Sequence, residues 1–207
     1  MVTRKPYYDA CGGILCLDFV NSVGRPAHEP LRETLDAYDD LVLWSEQART
    51  LTPAAARRLR RAAREDADVA RQVLERARAL REASFRAFYA IVHGKQAKPA
   101  DLKTINSEVA DALAHARVEA GADGYAWAFE SSSTLDAPLW PIARSVAELL
   151  VSDDLARVKE CANERCLWVF LDKTKNHARR WCEMKSCGNR AKVREHRRRK
   201  RAEEGSG

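Results

Sequence analysis

The chain has 207 residues, of which 45% are hydrophobic and 32% charged, with a net charge of +6. These are values of a globular chain long enough for one domain and a short module, and they exclude wholesale disorder, a collagen repeat and a disulfide-knot miniprotein. The charge is uneven: residues 155–207 hold 16 Lys and Arg against 7 Asp and Glu, a net of +9, which leaves −3 for residues 1–154. An anionic polymer is therefore expected as the partner of the basic end rather than of the whole molecule.

Gly12 to Ser22 carries apolar residues on both parities until Asp18, the pattern of a short buried strand or of a helix entry, which period alone does not separate. Gly24-Arg25-Pro26 and Glu29-Pro30 read as a loop. From Thr34 to Leu51 the apolar residues recur at helical spacing, and Thr52-Pro53 supplies an N-cap and a first-turn proline for the next helix. Residues 54–92 read as two helices broken near Arg64 to Asp68 and stopped at His93-Gly94, with Leu59, Val69, Val73, Leu80, Phe88 and Ile91 inward. A helix from Pro99 to Gly121 follows, with Leu102, Ile105, Val109 and Leu113 inward. Tyr125 to Phe129 alternates aromatic residues with alanine, as in a strand packed on its aromatic face. Pro138 to Leu155 is the last helix of this body. No flexible linker separates it from the basic end, so the two parts, 1–155 and 156–207, are expected to pack directly on each other through that helix. A chain ending near Leu155 is expected to keep its own core.

Four of the six cysteines form two pairs, Cys161-x4-Cys166 and Cys182-x4-Cys187, separated by 15 residues. Each pair closes a turn that points two thiolates at one place, and together they supply the four sulfurs of a closed structural Zn²⁺ site. With Trp168 to Leu171 as a strand between them, the expected module is a treble-clef or ribbon-like zinc finger. Such a site leaves no position for a catalytic water. Cys11 and Cys16 repeat the spacing without a further ligand nearby, and read as a loop thiol and a small buried side chain. The fold class is thus mainly α with minor β: a helical body and a small zinc finger ending in a basic helix.

Asn189 is positioned to cap that helix, and nothing breaks it before Gly205. Arg190, Arg194, Arg197 and Arg201 fall on one stripe, about 20 Å long at helical rise. Lys192 and Arg198 add charge beside it, and Lys175, Arg179 and Arg180 lie in the loop between the cysteine pairs. Arginine grips phosphate bidentately and reads guanine, so a zinc-anchored helix of this kind fits a nucleic-acid groove. Trp168 and Trp181 read as packing around the metal.

Trp168-x-Phe170-x-Asp172, Asn176, Arg179-Arg180-Trp181-Cys182 and Cys187-Gly188-Asn189-Arg190-Ala191-Lys192 resemble the CGNR zinc finger. Leu15-Cys16-Leu17-Asp18-Phe19-Val20-Asn21-Ser22 resembles the opening of the ABATE domain of bacterial stress-induced transcription regulators, with Ser22 where that family has Thr. The resemblance covers nearly the whole chain. It implies Zn²⁺ on Cys161, Cys166, Cys182 and Cys187, and a role in binding DNA.

The leading expectation is a DNA-binding transcription regulator whose body senses a small-molecule effector or forms a homodimer. RNA is the less favoured partner. A third reading makes the body a sensor or enzyme with Asp18 and Asn21 in a ligand pocket. No Ser-His-Asp order, phosphate loop or H-E-x-x-H motif supports an enzyme, and no catalytic residue is assigned. The apolar runs are shorter than the roughly 18 residues of a membrane span. Asp9 and Asp18 interrupt the sequence behind the basic residues at the start before a signal-peptide core forms, so a cytoplasmic protein without a membrane partner is expected.

Overall fold

A computed structural model describes residues 10–24, 33–121, 124–129, 134–163 and 165–204. The expected loop around residues 25–32 lies outside them. The helices are α1 (Leu15–Val20), α2 (Tyr38–Gln47), α3 (Pro53–Glu65), α4 (Ala67–Val92), α5 (Pro99–Ala114), α6 (Leu139–Leu150) and α7 (Asn189–Glu204). Two antiparallel hairpins join them, β1 (Ala116–Gly121) with β2 (Gly124–Phe129) and β3 (Val158–Glu160) with β4 (Val169–Leu171). The mainly α fold with minor β is as the sequence implies. None of the described helices is long and apolar enough to cross a membrane.

The centre of the body is α1, whose Cys16, Leu17, Phe19 and Val20 are fully buried. It is surrounded on all sides, so its apolar residues follow no period, and this is why strand and helix look alike in the sequence. The Ser145 hydroxyl on α6 accepts from the Cys16 N–H at 3.1 Å, and burial pushes the Cys16 thiol up to about 12. Phe19 meets Trp44 of α2 edge-on, with ring centroids 5.0 Å apart. Ahead of α1, the Asp18 carboxylate accepts from the Gly12 N–H at 2.8 Å. A Cβ at Gly12 would lie 2.7 Å from the Asp18 backbone nitrogen, so only glycine allows this approach.

Cap chemistry sets several boundaries where the sequence puts them. The Thr52 hydroxyl accepts from Ala55 N–H ahead of α3. Asp66 separates α3 from α4 and accepts from Val69 N–H at 3.0 Å, and α4 stops at His93-Gly94, with Gly94 at φ +69°. Other expectations need correction. The α2 helix spans only Tyr38–Gln47, because Asp40 turns back to accept from the Ala37 N–H at 2.8 Å and fixes a later start. The helix after Pro99 ends at Ala114, where His115 stacks on Trp140 at 4.1 Å. Residues 116–121 are a strand instead, since Tyr125–Phe129 needs a partner for its backbone groups. The aromatic face of β2 is packed at its end and partly covered at Trp127, where the Arg144 guanidinium lies 5.6 Å over the ring, whereas Tyr125 is 85% exposed. Val69, Leu102 and Leu113 point outward, and α6 ends at Leu150, before a 3₁₀ turn at Asp153–Arg157.

Arg81 on α4 is buried and holds Glu33 through both guanidinium ends, one bond measuring 2.8 Å. Burial raises the Glu33 pKa, but the Arg81 bonds outweigh it and hold the group at about 2. A folded pKa below the unfolded value means that this stability is present above about pH 4.3 and is lost as pH falls toward 2. Glu33→Gln should therefore cost about 1 to 2 kcal/mol at pH 7, allowing for solvent screening of a partly exposed carboxylate. Urea melts at pH 7 and pH 2.5 check this: the gap between variant and parent should shrink at the lower pH.

The C-terminal part does not sit on α6 as expected. Its hairpin packs on α1 and α4, and Val158, Val169 and Leu171 belong to the same core as the body. The Asn21 side chain closes the seam: its Nδ2 donates to the Val169 carbonyl at 2.7 Å and its Oδ1 accepts from the Val169 N–H at 3.2 Å. Trp168 Nε1 donates to the Val23 carbonyl at 3.1 Å. Asp18 and Asn21, the residues offered by the sequence as a ligand pocket, thus both bond to backbone, one within the N-terminal turn and one across to β4.

Candidate metal centre and basic helix

The first cysteine pair lies in the turn between β3 and β4. Cys161 N–H donates to Trp168 O at 2.8 Å and Cys166 N–H to Asn163 O at 2.7 Å, which fold the segment into a knuckle. The chain then returns, and Ala162 N–H donates to Arg180 O at 2.8 Å to set the second pair beside the first. A single π turn over Met184–Gly188, closed by Gly188 N–H on Glu183 O at 3.0 Å, presents Cys182 and Cys187 and leads into α7. Knuckle, hairpin and helix together make a treble-clef-like module.

The four sulfurs lie within 4.8 Å of one another. Cys166 and Cys182 are 3.7 Å apart, and Cys182 and Cys187 3.6 Å. Tetrahedral Zn²⁺ with Zn–S near 2.3 Å requires S–S separations of about 3.8 Å, so the residues fit the metal. Cys161 is held far below the usual thiol range, by the Cys166 and Cys182 thiols first and by the Cys182 and Asn163 backbone as well. The Cys166 and Cys182 thiols are pushed up in turn, chiefly by their neighbouring thiols, so the sulfurs behave as one group. Asn163 Nδ2 adds a bond to Cys187 Sγ at 3.3 Å, an outer contact of the kind that orients ligands. The four cysteines form a zinc-binding site. His177 is outside it, in an exposed turn at φ +47°.

Cys11 is a surprise. It is buried among Cys161, Phe170, Cys182 and Cys187, with its thiol hydrogen-bonded to that of Cys182; it is no loop thiol, and its partners lie too far along the chain for spacing to reveal them. Trp168 and Trp181 pack against the same cluster, half-buried.

Beneath the cluster, Asp172 is fully buried. Burial pushes its carboxyl up, but Lys159 Nζ at 2.7 Å, Thr174 and the Arg179 N–H at 3.0 Å hold it well below the usual carboxylate range. Arg179 has its own structural contacts: Nη2 donates to the carbonyls of Cys11, at 2.7 Å, and Cys182, Nε donates to Trp181 O at 3.0 Å, and the guanidinium lies 4.4 Å over Phe170. It staples the N-terminal turn to the finger.

The other basic residues face water. Lys175, Arg180, Arg190, Lys192, Arg197, Arg198 and Arg201 are exposed, with Arg198 paired to Glu195 at 3.0 Å. Arg194 also reaches inward, donating to Asn163 Oδ1 at 2.8 Å. Asn189 has helical backbone and is not the cap; its Nδ2 donates to Lys185 O at 3.0 Å. Arg190, Arg194 and Arg197 line one groove together with Arg165 and Lys185, two residues that the stripe on the helix alone does not reveal.

Residues 13–153 match the ABATE family, described as a putative stress-induced transcription regulator. The chain belongs to the ABATE family. Residues 157–200 match the CGNR zinc finger, and neither match is to an enzyme family. No curated protein matches the chain. In the ABATE opening, Asn21 is the residue that ties the domain to its finger. In the CGNR stretch, Cys187 is a ligand, Gly188 closes the π turn, Asn189 bonds back to Lys185 and Arg190 opens the groove.

Proposed function

We propose that this protein is a transcription regulator that binds duplex DNA through the zinc-held helix α7, with the ABATE body as its sensing or dimerising half. The groove shared by Arg165, Lys185, Arg190, Arg194 and Arg197 carries this reading. It joins the first knuckle, the second knuckle and α7 into one positive surface whose shape depends on the zinc site. The α7 helix packs chiefly on the turn before it, and apart from Ala191 and Val193 its described side chains are polar, most of them exposed, so helix and charge are presented outward. Lys175 and Arg180 extend the surface. Arg179 acts from behind, through the carbonyls that it holds, whereas Arg194 lines the groove and is steadied there by its bond to the Asn163 amide oxygen. In this reading arginines on α7 contact phosphates and one or two read bases, while the knuckle fixes the angle at which the helix enters the groove.

The test is a salt series of anisotropy titrations on zinc-loaded protein with duplex DNA fragments and with structured RNA. Binding should prefer duplex. Arg190→Ala and Arg197→Ala should each reduce the log–log salt slope by about 0.9 if they touch phosphate. A variant that reads a base should cost about 1 to 3 kcal/mol and relax preference at one position. A zinc-loaded Arg190, Arg194, Arg197 triple alanine variant that binds both nucleic acids as tightly as its parent at every salt concentration would overturn the reading, and equal or tighter binding to RNA would replace DNA by RNA.

A further inference from the structure

The β1–β2 hairpin is the part of the ABATE body that the core leaves open. Among the described residues the two strands make a sheet of their own, and a two-stranded sheet is marginal in water without further pairing or cover. The register sets Val118 against Trp127 and Ala120 against Tyr125 on one face, where Val118 is 60% exposed and Tyr125 85%. Arg117 and Glu119 lie on the other face, 2.6 Å apart and both about half exposed. Past Ala116, every residue of β1 is exposed.

We propose that β1 pairs antiparallel with β1 of a second copy, across a twofold axis at Val118, to form a four-stranded sheet. Three observations converge on this occupant and this register. First, backbone parity allows it. A hairpin joined by two residues between Gly121 and Gly124 pairs those glycines through backbone hydrogen bonds, so Arg117, Glu119 and Gly121 turn their backbone groups toward β2. Ala116, Val118 and Ala120 then turn theirs outward, and Val118 can exchange both bonds with the partner's Val118, as a twofold through one residue requires.

Second, the charges complement themselves. In this register Arg117 faces the partner's Glu119 and Glu119 faces the partner's Arg117, in the closer, non-hydrogen-bonded positions where side chains interact most. A shift by two residues breaks both pairs. Edges guarded against self-pairing carry a lone lysine, a proline or a bulge; the described strand has none of these, only two opposite charges spaced to match after rotation. Third, the apolar face becomes continuous, with Val118 and Trp127 of each copy adjoining across the axis. The β2 edge carries no charged residue over Gly124–Phe129 that could fix a register.

This deepens the proposed role of the body as the dimerising half by naming the surface and register, and it is measured without nucleic acid, so it fails or stands apart from DNA binding. Sedimentation of the zinc-loaded full-length chain at tens of micromolar, on the scale of weak to moderate association, should show a dimer. Arg117→Glu and Glu119→Arg should each keep the far-UV spectrum of the parent and weaken dimerisation by about tenfold or more, since both cross-strand pairs become like-charged. An equimolar mixture of the two variants should restore dimers containing one chain of each, and the double variant R117E/E119R should restore the homodimer. A monomeric parent, a dimer indifferent to both single variants, or a mixture that stays monomeric would each overturn the proposal.

Discussion

A chain ending at Leu155 should lose the cooperative fold of the ABATE body, even though that segment contains six of the seven α-helices among the described residues. The reason lies in β3 and β4. Val158, Val169 and Leu171 are buried in the core that α1 and α4 build, and each such side chain contributes about 1.5 to 3 kcal/mol by its burial. Truncation also removes both Asn21–Val169 bonds, each worth about 0.5 to 1.5 kcal/mol net. The sum reaches the whole stability of an ordinary domain, about 5 to 15 kcal/mol. The expected product is aggregated, or helical by far-UV circular dichroism with a broad melt and strong dye binding. Charge and cysteine content place the boundary near 155, but packing makes the finger hairpin a wall of the body. A truncated chain melting sharply within a few degrees of the full-length protein would show that the seam contributes little.

What the sequence reveals here is what depends on near neighbours. Thr52-Pro53 and His93-Gly94 mark helix ends because cap and left-handed glycine chemistry act within a few residues. The cysteine pairs reveal the zinc site because a knuckle is a local turn and four of them in that spacing have few other uses. What depends on distant partners stays hidden. The helix predicted through Gly121 fails because β2, not local propensity, decides the state of residues 116–121. Asp18 and Asn21 stand out as polar residues in an apolar run, but the backbone partners that the fold gives them, Gly12 and Val169, are not legible there. Cys11 and Arg179 read as a loop thiol and a surface cation, and become a buried and a half-buried part of the finger only once residues about 170 apart in sequence meet. Asn163 belongs with these residues, for its side chain makes a double contact with partners 24 and 31 residues along the chain, Cys187 and Arg194.

That double contact leads to the expected effect of removing zinc. Structural Zn²⁺ contributes about 10 to 16 kcal/mol of apparent binding energy in small modules, all of it linked to folding. Apart from the metal, the second knuckle is closed by short-range bonds within its own turn, from the Gly188 N–H to Glu183, from the Asn189 N–H to Met184 and Ser186 and from the Asn189 side chain to Lys185, and by the Arg179 and Asn163 side chains on Cys182 and Cys187. The α7 helix depends on that knuckle and on the Arg194 bond to Asn163. By itself it is 16 residues long, just past the length below which isolated helices are marginal in water, and it stacks like charges at Arg190 with Arg194, Arg194 with Arg198 and Arg197 with Arg201, each pair unfavourable by a few tenths of a kcal/mol. Chelation, or Cys182→Ser, should therefore melt α7 and abolish high-affinity nucleic-acid binding. The β3–β4 hairpin should resist, because Asn21, Val169 and Leu171 hold it from the body side. Hydrogen exchange separates the two regions: amides of 182–204 should lose protection without zinc, whereas those of 169–171 and of α1 should keep most of theirs. This also distinguishes metal loss from truncation, which removes the hairpin itself. If α7 stays protected in zinc-free protein, the helix is held by something other than the metal site, and the zinc is not what shapes the arginine groove.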